Sequence, residues 1–372
     1  MESLSHDHFF KNHIHPTINV AGVDKDVVLA LYRNMVRLRR FEETLMREYR
    51  VAEEMRCPVH FTIGQEAAPA ALSLLLRPDD FLYSHHRCHG YFLSKGAPMK
   101  ALVAELFGRE TGANGGLAGS QEISMPEVNF HSGAILTGAS SIAVGTALGF
   151  QMRNEPHVAV AGFGEAATEE GIFWEAVNYA ALRKLPLVYV CENNLYSMYS
   201  ALTKRQPVGD ISRRVEAFGF KTTTLFGNDV VACHRALNEA IQDARERRGP
   251  CFVELFTYRW NAHVGPESDD KFGYRPQKEL EYWKKNCPIS LLERQLKAEQ
   301  WLQAAQQEEM LREIDCEIED ALTFARNSAF PQVANLAELN CSSRSPLAEA
   351  LLVTSICGEF NENQADALLA PY

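Results

Sequence analysis

The sequence predicts an α/β fold, a mostly parallel sheet flanked by helices. Three observations carry this. Residues 158–196 read as strand, glycine-bearing turn, helix, strand and polar loop, which is a βαβ unit. Leu187–Cys191 is apolar throughout, as a parallel strand covered on both faces requires. Other short apolar runs alternate along the chain with stretches of helical periodicity.

Each element has its own signal. Residues 1–27 read as a loose arm. They lack a basic region followed by an apolar core, so no secretion signal is expected. From Lys25 to Met55, Val28, Leu31, Tyr32, Met35, Leu38, Phe41 and Leu45 make an apolar helical face. Ala67–Leu76 predicts a second helix, rich in alanine and leucine. Phe81–Ser84 predicts a strand, Ala101–Phe107 a helix, and Thr137–Gly149 a closely packing helix of small residues. In the central unit, Val158–Ala161 is a strand and Glu169–Lys184 a helix that Pro186 terminates. Lys221–Phe226 and Cys251–Phe256 are strands on either side of a Val230–Arg247 helix, closed by Arg248-Gly249-Pro250. Residues 289–327 form one or two helices with a solvated Glu-rich face. The expected domain body is 28–327, and 328–372 is a tail that either docks against a partner or stays mobile.

Composition narrows the class. A chain of 372 residues with 46% apolar content is ample for one large α/β domain. No run approaches the ~18 apolar residues of a membrane helix. An odd count of nine cysteines without a CxxC pair points to reduced thiols in a cytoplasm and away from structural zinc. A net charge of −11 opposes nonspecific nucleic-acid binding.

Ligands of parallel sheets bind outside the carboxyl ends of the strands. Glu165 follows the first strand of the central unit and Asn194 the second, so both lie on one edge. A carboxylate and an amide oxygen together suit Mg²⁺, with phosphate completing its shell. Open amides near Ala167 and Thr168 favour an anion. A solvated loop acid and a turn asparagine would present the same residues, so the chemistry alone leaves both readings open.

The same residues carry a resemblance. Gly164-Glu165-Ala166-Ala167-Thr168-Glu169-Glu170-Gly171, Lys184-Leu185-Pro186 and Cys191-Glu192-Asn193-Asn194-Leu195-Tyr196 resemble the thiamine diphosphate motif, GDG followed after a helix and a strand by NN. The form GDGATSEG with KLPxxxVCENNxY is that of the alpha subunits of two-subunit 2-oxo acid dehydrogenases, the E1 component. The resemblance runs from about residue 28 to about residue 300. It implies a thiamine diphosphate-binding fold in which Glu165, Asn194 and Tyr196 hold Mg²⁺ and Gly164, Ala166 and Ala167 border the diphosphate. His85–His89 resembles SYRxH. Arg87 would then make a paired contact with diphosphate oxygens, His86 would donate one hydrogen bond, and His89 would lie near the thiazolium as a proton-transfer or substrate-orienting residue. Thr137 and Gly138 would help hold the aminopyrimidine. Thr257–Val264 resembles TYRxxGHS, which places Arg259 at the cofactor edge and His263 on the diphosphate as an acid–base group. The glycine-rich stretch Gly108–Ser120 lacks Walker spacing and leads into Ala118–Glu122, similar to GGSMH. Gly265–Arg275 is expected to be a mobile active-site loop.

The sequence departs from the family at cofactor-facing positions: Glu165 replaces aspartate, Ala166 glycine, His86 tyrosine, Glu122 histidine, Ala262 glycine and Val264 serine. Alanine at 166 also lacks glycine's freedom at positive φ. The resemblance implies decarboxylation of a 2-oxo acid with thiamine diphosphate and Mg²⁺, and acyl transfer to lipoamide on an E2 protein. A beta subunit, in a heterotetramer of two alpha and two beta chains, would supply the acid that activates the aminopyrimidine, so Glu66 of the GQEA-like segment is not that acid. An acyloin- or ketol-forming transferase and a noncatalytic structural or regulatory subunit are the alternatives.

Overall fold

The computed structural model describes residues 17–49, 54–55, 57–207 and 210–332. The start of the arm and the tail beyond residue 332 lie outside the described residues.

The chain enters through α1 (Lys25–Glu48), capped by the Asp24 side chain, which accepts from the Asp26 amide at 2.8 Å. Helical geometry ends at Tyr49, short of the expected Met55, where the tyrosine ring packs edge-on against Phe61. The second helix, α2 (Ala67–Leu72), is also shorter than expected. The amides of Leu74 and Leu75 bond back three residues, tightening the turn before Arg77-Pro78. Then come β1 (Phe81–Ser84), α3 (His89–Ser94) and α4 (Met99–Leu106), followed by the short strands β2 (Ser124–Met125) and β3 (Phe130–Ser132) and by α5 (Gly138–Met152). The central unit is β4 (Ala159–Gly164), α6 (Gly171–Arg183) and β5 (Leu187–Asn193). The ribbon β6 (Tyr196–Ser197) and β7 (Ser200–Ala201) precedes α7 (Leu202–Arg205), α8 (Ile211–Glu216), β8 (Lys221–Phe226), α9 (Val230–Arg245) and β9 (Cys251–Phe256). The helices α10 (Gln277–Lys285), α11 (Pro288–Ala298) and α12 (Ala304–Asn327) complete the described fold. Among the described residues, no helix is long and apolar enough to cross a membrane.

The seven-stranded sheet runs β2-β3-β1-β4-β5-β9-β8, and every pairing but β2–β3 is parallel. The mostly parallel sheet was legible in the apolar runs. The β2–β3 pair was not, because two and three residues are too few to show a period. Alternate strand residues face opposite layers. Val158, Val160, Val188, Val190 and Val253 enter one core, with α1, α2 and α9. Ala159, Ala161, Phe163, Leu187, Tyr189 and Phe252 enter the other, with α5 and α6. At Gly162 an added Cβ would come within 2.7 Å of the Tyr91 ring, so glycine lets α3 lie against β4.

Topology places the site. From β1 the chain passes to β3 on one side and returns to β4 on the other, so the strand order reverses at the β1/β4 pair. A crevice opens at the carboxyl ends of such a pair. The opposite end of the same pair is clamped by Asp80. Its carboxylate is fully buried, accepts from Arg245 Nη1 and Nη2 at 2.8 and 2.7 Å, and accepts the Arg77 and Val158 amides at 2.8 and 3.0 Å. Asp80→Ala leaves Arg245 buried without a counter-charge and is expected to cost ~3–5 kcal/mol. Urea denaturation measures this, and a loss below ~1 kcal/mol would place the clamp among pairs of surface strength.

Candidate functional site

Six parallel strands end on the crevice side, and the segments leaving β1, β4, β5 and β9 carry the expected site residues. Arg87 follows β1 and is 3% exposed. Its Nη1 donates to the Phe61 carbonyl and its Nη2 to the His263 carbonyl, both at 2.8 Å. Among the described residues no carboxylate lies within ion-pair distance of it. Burial, then repulsion from Arg259, brings its pKa down to about 9. A guanidinium in that condition is stabilised by any anion that reaches it.

The scaffold around Arg87 is a network of buried carboxylates. Glu42 of α1 accepts His89 Nδ1–H at 2.6 Å and the Thr62 amide at 3.0 Å. His89 Nε2 meets the Ser120 hydroxyl at 2.9 Å. His89 is completely buried with both nitrogens engaged. It therefore positions the Arg87 turn and has no nitrogen to offer a thiazolium. His85 braces the same turn: Nδ1 accepts the Arg87 amide at 3.3 Å, so Nε2 carries the proton toward Glu192, 3.2 Å away.

The glycine-rich stretch is closed by protein. The Glu105 carboxylate accepts the amides of Asn114 (2.7 Å), Gly116 (2.9 Å), Ala118 (2.7 Å) and Gly119 (3.2 Å). Backbone amides curled around an anion form a nest, and here a side chain fills it. The loop delivers Gln121 to His60, Nε2 to Nδ1 at 3.1 Å, and Glu122 to the Ala134 amide at 2.8 Å.

Glu165 leaves β4 almost fully buried. Residues 165–169 form one 3₁₀ turn, held by the Thr168 hydroxyl on the Glu165 carbonyl at 2.8 Å, so α6 starts two residues later than expected. Ala166 has no positive φ in this turn and carries no strain there. The Glu165 carboxyl pairs with Arg205 Nη2 at 2.5 Å. Burial raises its pKa, and Arg205 works against that. Gly164 faces open space. Ala167 lies inside the turn, and the Thr137 hydroxyl ahead of Gly138 donates to Glu170.

At the end of β5, Asn193 is a strut. Its Nδ2 donates to Glu254 at 2.8 Å, and Glu254 also accepts the Ser212 amide and hydroxyl at 3.0 and 2.8 Å. Leu195 turns the chain in the left-handed region, φ 70°. Asn194 Oδ1 accepts the Tyr196 amide at 3.2 Å, leaving a second lone pair. The Tyr196 hydroxyl donates to Glu279 at 2.7 Å, so its side chain is tied to α10.

Arg259 is also committed. It donates to the carbonyls of Asn261 and Met198 at 2.8 and 2.7 Å, to the Tyr274 hydroxyl at 2.6 Å and to Asp269 at 3.1 Å, and only Nε has no partner. Asp269, 1% exposed, is held by Arg259, Arg275 and Tyr274. The loop expected to be mobile is anchored there.

The sequence reading missed His60. Its ring lies 4.6 Å from His86 and 5.0 Å from His263, centroid to centroid. Ligating atoms of the three lie within 4.8 Å of one another. By type they are a transition-metal set, but Arg87 Nη2 stands 3.3 Å from His263 Nδ1 and repels a cation. Burial and this field hold His60 at about 2 and His263 at about 3, with His86 well below its ordinary value. The three rings are neutral at neutral pH. Position 60 carries no local sequence signal; only the folded β9 edge brings it to His263.

Residues 33–334 match the family model described as dehydrogenase E1 component. The chain is 32% identical over 324 residues to the pyruvate dehydrogenase E1 component subunit alpha of Rhizobium meliloti (strain 1021), covering 85% of this chain and 90% of that one. It is 32% identical over 327 residues to the protein of the same name from Porphyra purpurea, covering 86% and 94%. It is 30% identical over 324 residues to the testis-specific mitochondrial form of that subunit from Rattus norvegicus, covering 87% and 81%.

Glu254 makes the Asn193 strut sensitive to pH. Burial, opposed by the bonds from Asn193 and Ser212, raises its carboxyl from 4.5 to about 7. Between those values the folded chain keeps a proton that the unfolded chain has released, so stability falls as pH rises, by up to ~1.4 kcal/mol per unit. Denaturation midpoints from about pH 5 to about pH 8 are expected to fall for the wild type relative to Glu254→Gln. Parallel profiles would mean that Glu254 is ionised throughout.

Proposed function

The chain belongs to the dehydrogenase E1 component family, and from that premise we propose that it is the alpha subunit of a thiamine diphosphate- and Mg²⁺-dependent 2-oxo acid dehydrogenase. In this reading it works with a beta subunit, in a heterotetramer of two alpha and two beta chains, and passes the acyl product to lipoamide on an E2 protein.

The observation that supports this best is the buried Arg87 where strand order reverses, with no carboxylate bonded to it and with burial and Arg259 outweighing the more distant Glu192 and Glu42. A diphosphate supplies the missing charge, and a guanidinium meets two of its oxygens at once. The residues fit that group: Arg87 would hold the diphosphate, with His263, 3.3 Å from its Nη2, and the buried unpartnered Nε of Arg259 as further hydrogen-bonding groups. Thr137 and Gly138 begin α5 beyond the crevice, where they would border the aminopyrimidine. Glu165, the Asn194 amide oxygen and the Tyr196 carbonyl are the hard donors that Mg²⁺ takes. Bound thiamine diphosphate supplies a nucleophilic carbon and an electron sink for loss of CO₂ from the 2-oxo acid.

The chain's own residues then have defined tasks. The neutral imidazoles of His60, His86 and His263 orient a substrate carbonyl or carboxylate by hydrogen bonds. His263, held low by burial and then by Arg87 and Arg259, would become more basic if an anion offset the Arg87 charge, which would couple its acid–base competence to cofactor binding. A second reading, acyloin or ketol formation without lipoamide, is favoured by one observation: His86 and Glu122 replace the tyrosine and histidine of the resembling motifs on loops that border the crevice.

Calorimetry of thiamine diphosphate binding to the chain co-purified with its beta partner tests the reading. Binding is expected to require Mg²⁺ and to weaken by ~10–100-fold in Arg87→Ala, the range for a charge-assisted contact. No binding by the folded complex would favour a noncatalytic subunit. Products separate the chemistries: CO₂ with reduced lipoamide marks the dehydrogenase, and a new carbon–carbon bond marks the transferase.

A further inference from the structure

The acid assigned to the metal already has a cation on it. Glu165 is 1% exposed, and a carboxylate in that position needs a counter-charge. Arg205, at the end of α7, supplies one. Its Nη2 donates to Glu165 Oε1 at 2.5 Å, its Nη1 pairs with Glu169, and its Nε donates to the Ser200 carbonyl at 3.1 Å. Gln206 continues the clamp, with Nε2 donating to the Thr168 hydroxyl and to Glu169, each at 3.0 Å. One guanidinium thus bridges the two acids of the 165–169 turn, and the segment 200–206 is tied to that turn through it.

We propose that Arg205 is the resident counter-ion of the metal site: it neutralises Glu165 until a divalent cation arrives, and it must yield that carboxylate for the cation to bind. The proposal rests on the cofactor reading given above. Mg²⁺ binds carboxylate oxygen at ~2.0–2.1 Å and demands near-octahedral geometry. A guanidinium held against the same oxygen occupies space in that shell and repels the ion. Arg205 has a retreat. Glu169 is four residues, about one turn, further along, exposed, and already bonded to Nη1, so the arginine can keep one ion pair while surrendering the other. The metal's apparent affinity is therefore the intrinsic affinity of the donors reduced by the strength of the Arg205–Glu165 pair. Arg205 and Glu169 then act in opposite directions. Removing Arg205 frees the carboxylate for the ion. Removing the Glu169 charge leaves Arg205 with only Glu165 to neutralise it.

The test is calorimetric titration of Mg²⁺ into the full chain, assembled with its partner subunit and saturated with thiamine diphosphate. Thermal midpoints check that each variant is folded. Arg205→Gln is expected to bind Mg²⁺ about tenfold tighter than wild type, corresponding to one ion pair removed from competition, and Glu169→Gln is expected to bind it several-fold more weakly. Equal or weaker binding by folded Arg205→Gln overturns the competition and leaves the cofactor reading in place. Should Arg205→Gln not fold, Glu169→Gln decides alone, and unchanged or tighter binding overturns the proposal. Absence of any Mg²⁺-dependent binding in wild type and both variants overturns the cofactor reading and this inference together.

Discussion

A guanidinium buried without a carboxylate, Arg87, is the constraint around which this chain is arranged. Burying a charge is costly unless something pairs with it, and here the direct partners are two backbone carbonyls and the His263 ring, with the carboxylates of Glu192 and Glu42 acting from beyond ion-pair distance. The fold accepts that cost at the one place where strand order reverses and a crevice opens. The surrounding network makes sense as what holds the arginine there. Glu42, His89 and Ser120 join α1, the Arg87 turn and the glycine-rich loop through completely or almost completely buried groups.

The charges at the crevice are segregated, and the segregation shapes the chemistry. Burial first, and then the positive charge of Arg87, keeps the three neighbouring imidazoles neutral, with Arg259 adding to it at His263. Glu165 makes the β4 side negative, but Arg205 compensates it. A ligand that is itself an anion carrying a cation satisfies both sides at once. Asp269, bound by Arg259, Arg275 and Tyr274, ties the loop beyond β9 to the end of that strand.

Several sequence signals were ambiguous for physical reasons. A run of glycines looks the same whether it wraps a phosphate or a side chain, and Glu105 decided the matter because its carboxylate lies where four loop amides converge. His89 belongs to a motif-like cluster, yet its ring points into the Glu42–Ser120 network, and no spacing rule predicts the direction of a ring. Ala166 looked strained against a glycine pattern, but a 3₁₀ turn places it at ordinary backbone angles. The polar loop 265–275 looked free because its anchors, Arg259 and Asp269, are separated in sequence and meet only in the fold.

The sequence by itself determined the βαβ core, the parallel sheet, the ordering of most helices, and the placement of Arg87, Glu165, Asn194 and Arg259 at strand ends. Those features depend on local periodicity and on a rule of parallel sheets that holds wherever the strands fall. Only the tertiary structure decided what each side chain meets. It brought His60 to His86 and His263, put Arg205 on Glu165, and turned His89 into the Glu42–Ser120 network while Arg87 meets His263. Hydrogen bonds and ion pairs act over about 3 Å, while the residues that make them here stand tens to hundreds of positions apart, so their pairing is a property of the folded chain and of nothing shorter.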